Sequence, residues 1–79
     1  MQSDISLHER KKLIDIGKKV QQLRKERANI GYENFAKLLS INKNTYMRIE
    51  KAQGNYTLLH LLRIISYYDL SLEEFFKDL

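Results

Sequence analysis

Lys43, Asn44, Met47 and Arg48 are the residues of this chain whose types and spacing could carry recognition chemistry. They remain when Tyr46 and Ile49, at i and i+3, are assigned to the buried side of a short helix. Lys and Arg suit guanine O6 and N7, and Asn can bond adenine through two hydrogen bonds, so this face suits base edges in a major groove. A solvated polar face on an ordinary helical hairpin would use the same residue types, and the stretch alone does not separate the two. Catalysis has less support. His8 and His60 are far apart, no Ser/His/Asp or metal-ligand spacing occurs, and no glycine-rich phosphate loop is present. Asp15, Glu33, Glu73 and Glu74 read as helix-terminus or surface charges. The expectation is a protein that is not an enzyme, with no cofactor, no metal and no small-molecule ligand. Charge alone would admit an RNA target, but the usual base-stacking aromatic motif is absent.

A recognition face needs elements to hold it. Phe35, Ala36 and Leu39 fall at i, i+1 and i+4 and give the preceding helix an apolar side. Ser40-Ile41-Asn42 breaks that pattern, with Ile41 as an apolar plug and Asn42 as the N-cap of the next helix. Two short helices joined by such a turn make a helix-turn-helix. Upstream, Leu13, Ile16, Val20 and Leu23 form a helical stripe on a helix capped by Ser3 or Asp4 and running through Arg27 or Ala28. Arg10, Lys11, Lys12, Lys18, Lys19 and Lys25 lie opposite, as a solvated face or a phosphate-facing one. Gly17 within this helix costs up to ~1 kcal/mol relative to Ala, and Asn29-Ile30-Gly31 ends it.

Downstream, 52–55 is turn-rich and Thr57 caps a helix over about 58–68. Leu58, Leu61, Ile65 and Tyr68 form its core stripe, with Ile64 beside it. Ser71 and Glu74 make a capping box for a last helix, in which Leu72 and Phe75 complete the core. Leu62, Tyr67, Phe76 and Leu79 are then candidates for a dimer seam, or they roof a small core.

Three segments in order and spacing, IGKKVQQLRKER (16–27), FAKLLSINKNTYMRIEK (35–51) and NYTLLHLLRII leading to LSLEEFF (70–76), resemble the XRE/Cro-type family of bacterial and phage DNA-binding domains. The likeness covers about 13–76. It implies an all-α, compact five-helix lambda-repressor-like domain over 13–79 with a central helix-turn-helix. Residues 1–12 then read as an N-terminal extension that continues the first helix. The resemblance points Lys43, Asn44 and Arg48 into the major groove, with Met47 on a thymine methyl or on the helix flank. Tyr32 falls where the family commonly has a phosphate-bonding glutamine, although it could equally staple onto Ala28 or Ile30. Thr45, Lys51, Gln53 and Asn55 are the other backbone-contact candidates, with Thr45 also suited to face the neighbouring helix. Matching family residues tie Arg24 to Glu50, across the first helix and the end of the recognition helix. Two departures stand out. One extra residue lies between Arg24 and Tyr32, which the loop is expected to absorb. Ala52 and Gly54 replace the usual Glu-x-Gly, which shifts the helix end.

Size and charge agree with that reading without identifying it. Seventy-nine residues make one domain near the lower limit for independent stability, where a dimer partner would add buried area. There are no cysteines, so neither disulfides nor a Cys-based zinc site staple the fold. A net charge of +4 favours a polyanionic partner. No apolar run approaches a membrane span and the N-terminus lacks a signal-peptide core, so the expected compartment is the cytoplasm. The expected function is a sequence-specific, double-stranded DNA-binding transcriptional regulator that reads a palindromic operator as a homodimer. Small controllers of restriction–modification genes, phage switch proteins and some antitoxins share this plan. The alternative is a protein-interaction module, an antitoxin or accessory subunit working through its apolar C-terminal helices.

Overall fold

The computed structural model describes residues 5–79. The first helix, α1 (Leu7–Leu23), starts at Ser6, whose hydroxyl accepts from the Glu9 amide while the Glu9 carboxylate accepts from the Ser6 amide. This reciprocal capping box satisfies two orphan donors of the helix end. It corrects the expected start, since Ser3 and Asp4 lie outside the described residues and the cap is Ser6. No break falls between Lys12 and Leu13: α1 runs continuously across that boundary.

The last turn of this helix, Arg24–Ala28, is π-helical, and the Asn29 amide donates to Arg24 O at 2.6 Å. A π-turn holds one residue more per hydrogen-bonded ring than an α-turn. The chain therefore accommodates one wider turn inside the helix, just ahead of the loop. Asn29, at φ 54°, ends the segment in the left-handed region.

Three short helices and a terminal turn of helix complete the chain: α2 (Tyr32–Leu38), α3 (Lys43–Glu50), α4 (Leu58–Tyr67) and α5 (Leu72–Phe76). Together with α1 they give an all-α, five-helix arrangement with the helix-turn-helix, α2 and α3, at its centre. Val20, Phe35, Ile41, Tyr46, Ile49, Leu61, Ile64, Ile65, Tyr68 and Phe75 form one core. Thr57 caps α4 and Ser71 caps α5, each in a reciprocal box with the residue three positions on. Two expected core residues are exposed instead: Leu58 is 64% exposed and Leu72 is 47% exposed. Each is the first residue of its helix. Side chains there tilt toward the N-terminus and reach past the helix end, away from the layer beneath.

The C-terminal ends of α2, α3 and α4 share one solution. Ser40, Ala52 and Asp69 adopt φ of 58°, 56° and 58°. The next amide in each case, of Ile41, Gln53 and Leu70, bonds back to Ala36 O, Arg48 O and Ile65 O. These are Schellman ends. Glycine would fit all three, and none has it. For α3 the stop falls at Ala52, ahead of Gly54.

The backbones of α1 and α3 approach each other closely. A Cβ added to Gly17 would lie 2.6 Å from both Ile49 O and Glu50 O. Backbone atoms cannot step aside as a flexible side chain can. Gly17→Ala should therefore destabilise by about 1–3 kcal/mol, despite its better helix propensity. Ala52→Gly should do the reverse, stabilising by about 0.5–1 kcal/mol as the left-handed strain is relieved. Urea unfolding of the two variants beside the parent chain measures both.

Candidate nucleic-acid interface

The turn between α2 and α3 sets which side of α3 faces out. Ile41 is buried and anchors the turn, and Asn42 Oδ1 accepts from the amides of Asn44 (2.8 Å) and Thr45 (3.4 Å). Tyr46 and Ile49 then enter the core with no exposed surface. Lys43, Asn44 and Arg48 are left exposed, while Met47 and Thr45 are half-buried. Asn44, Met47, Arg48, Lys51 and Gln53 line one shallow concavity at the surface. Three base-contact candidates and two backbone-contact candidates are thereby brought together. The Arg48 side chain runs beside Gly54, where an added Cβ would sit 3.4 Å from Arg48 Cδ.

The remaining candidates lie around this patch. Lys43 is turned toward α2, where its Nζ donates to Glu33 Oε2 at 2.8 Å. That bond holds the Glu33 carboxyl below its ordinary range and the Lys43 ammonium above its own. Tyr32 opens α2 and is 37% exposed, and Asn55 is exposed in the loop before α4. Sequence spacing alone makes Glu33 a plain surface charge. Its partner is ten positions away across a turn, so no local pattern points to it.

A buried cluster sits directly behind the exposed face. Arg24 Nε donates to Glu50 Oε2 at 2.7 Å and Arg24 Nη2 to Glu50 Oε1 at 3.1 Å. The side chains are only 10% and 0% exposed. The Tyr46 hydroxyl donates to Glu50 Oε2 at 2.6 Å, and Arg24 Nη1 donates to Ile30 O at 3.0 Å. Removing one member of such a pair strands a buried charge and costs roughly 3–5 kcal/mol. The bond to Glu50 is the main reason that the Arg24 guanidinium is held even more firmly protonated. Periodicity assigns Tyr46 only to the core. Its i→i+4 spacing to Glu50 is the signal for its second role.

A second tie comes from the N-terminal part of α1. Arg10 Nη1 donates to Ala52 O at 3.0 Å, so the first helix grips the strained turn after α3. The seam candidates are mixed in character. Tyr67 and Phe76 are 44% and 38% exposed, whereas Leu62 is half-buried and Leu79 packs against the core of its own chain. Leu58, Leu59 and Leu72 add exposed apolar surface on the same two helices. Among the described residues, no group of His, Cys, Asp and Glu could hold a metal ion, and no helix is long and apolar enough to cross a membrane.

Comparison with known proteins gives a relative of clear similarity. Control protein C.MunI from Mycoplasma sp is 32% identical over 66 residues, which span 84% of this chain and 89% of that protein. No family model matches the chain, and no solved structure matches it.

The buried cluster makes stability depend on alkaline pH. Burial first, and then the bond to Glu50, raise Tyr46 far above its ordinary pKa of 10.0, and burial pushes Tyr68 up to about 12. Above pH ~10 the unfolded chain releases these protons while the native chain keeps them, so stability falls as pH rises. The slope is about 1.4 kcal/mol per pH unit for each tyrosine held protonated. Tyr46→Phe should make the decline shallower by about one such contribution, as measured by unfolding between pH 9 and 11.

Proposed function

Since the chain belongs to the XRE-like family of controller proteins, we propose that it is a sequence-specific, double-stranded DNA-binding transcriptional regulator of the restriction–modification control type. The observation that carries this reading is the division of α3. Tyr46, Ile49 and Glu50 fasten one side to the body of the protein, and Lys43, Asn44 and Arg48 stand out on the other. A rigidly held helix with Lys, Asn and Arg on its outer face suits insertion into a major groove. In this reading Lys43, Asn44, Met47 and Arg48 contact base edges. Tyr32, Thr45, Lys51, Gln53 and Asn55 contact the sugar–phosphate backbone and fix the register.

The operator is palindromic and the protein binds it as a homodimer. A twofold pair would place two copies of α3 in successive major grooves, roughly 34 Å apart. Leu62, Tyr67, Phe76 and Leu79 on the α4–α5 side form the seam, which the exposed area of Tyr67 and Phe76 supports. Control then comes through protein concentration, dimerisation or a partner protein. The same apolar surface favours a second reading, in which α4 and α5 bind a different protein, as an antitoxin or accessory subunit would.

Selection of binding sites from a random duplex DNA pool separates the two. The parent chain should yield a palindromic consensus, and Arg48→Ala should lose one base preference per half-site, worth about 1–3 kcal/mol. Lys51→Ala should weaken all sites alike and lower the salt slope by about 0.9 per copy, about 1.8 for the dimer. Absence of any consensus would favour the protein-binding reading.

A further inference from the structure

Glu33, paired with Lys43, is the part of this surface to which DNA contact by α3 gives no role. Glu33 lies in the first turn of α2, and the helix-turn-helix bend brings its Oε2 to 2.8 Å from Lys43 Nζ. The two side chains are 60% and 55% exposed, so water screens the pair and it does little for stability. Its position gives it another use. Lys43 is the first residue of α3, where a free ammonium on a flexible stem could reach phosphate oxygens as readily as a base. Phosphate contacts add affinity for every sequence and so dilute discrimination.

We propose that Glu33 is a specificity-determining positioning residue, which holds Lys43 back from phosphates and leaves it for a base acceptor. The inference rests on α3 being the base-reading helix. Its logic is that of specificity built from a repulsive element. The carboxylate orients the ammonium toward the first turn of α2, and its own negative charge opposes any phosphate that approaches. A guanine edge offers neutral acceptors and meets no such opposition. Lys37, one turn after Glu33 on α2, adds a second cation near the carboxylate. An i→i+4 Glu–Lys arrangement is a favourable one. Glu33, with a 60% exposed side chain, stays solvated when Lys43 turns to the DNA, so the exchange strands no buried charge.

The test compares the parent chain, Glu33→Gln, Glu33→Asp, Lys43→Ala and the Glu33→Gln/Lys43→Ala double variant. Each is titrated with its selected site and with an unrelated duplex between ~50 and ~200 mM salt, and each is put through site selection. Glu33→Gln should gain more affinity for the unrelated duplex than for the selected site. Its salt slope on unrelated DNA should steepen by ~0.9 per copy, ~1.8 for the dimer, an extra loss of about 12-fold across that salt range. It should also flatten the preference at one base of each half-site, which Glu33→Asp partly restores. In the Lys43→Ala background the same substitution should change no base preference. An equal gain on all duplexes with intact preferences would overturn the inference. So would an effect that persists in full without Lys43, because Glu33 would then act by its own charge. If the parent chain selects no consensus, the proposed function fails and Glu33 with it. A consensus that Glu33→Gln leaves unchanged would sink the inference about Glu33 alone.

Discussion

The bidentate bond from Arg24 to Glu50 is the constraint on which the arrangement of the helices depends. Its guanidinium leaves the end of the first helix, holds both carboxylate oxygens at the end of α3, and also bonds Ile30 O ahead of α2. The end of the first helix, the loop ahead of α2 and the end of α3 are thereby fixed to one planar group. Arg suits this role because its five donors form a rigid fork that lysine lacks. Tyr46 completes the carboxylate's shell from within α3. The absence of a side chain at Gly17 lets the backbones of α1 and α3 approach closely enough for the fork to reach.

The outward face of α3 is a consequence of that anchoring. Once Tyr46, Ile49 and Glu50 are committed inward, a helix of 3.6 residues per turn leaves Lys43, Asn44 and Arg48 on the other side. The turns at both ends hold this orientation at some conformational cost. Ser40 before α3 and Ala52 after it both take left-handed backbone without glycine. Left-handed alanine is disfavoured by roughly 1–2 kcal/mol, and the Schellman hydrogen bonds and the Arg10 contact to Ala52 O offset part of that. Strain and the outward face thus meet at the end of one short helix.

The positive charge of the chain is less uniform than its net value suggests. Arg10 bonds Ala52 O, Arg63 bonds Ser40 O, and Lys11 pairs with Asp15. Lys19 lies over the Phe75 ring at 5.3 Å and Arg27 over the Tyr68 ring at 5.4 Å. Several bases expected to form a solvated or phosphate-facing stripe on α1 therefore bind the protein itself. Their long stems cover apolar surface that a small domain has few other means of shielding.

Local structure is legible in the sequence because its causes lie three or four residues apart. The five helices, the Asn42, Thr57 and Ser71 caps, and the inward side of α3 all follow from such spacings. Ser6 and Glu9 carry the same kind of signal and mark the true start of the first helix. Periodicity cannot say where the core stops, so it puts Leu58 and Leu72 inside although first-turn side chains reach beyond the helix end. The pairing of Arg24 with Glu50 can be named only through the family likeness, since nothing local joins residues 26 positions apart. The π-turn that ends the first helix, the Arg10 contact 42 positions away and the Glu33–Lys43 pair ten positions away were decided by how the helices dock. Hydrogen bonding within a turn of helix depends on neighbouring residues alone, whereas contacts between helices depend on a packing geometry that the whole chain settles at once.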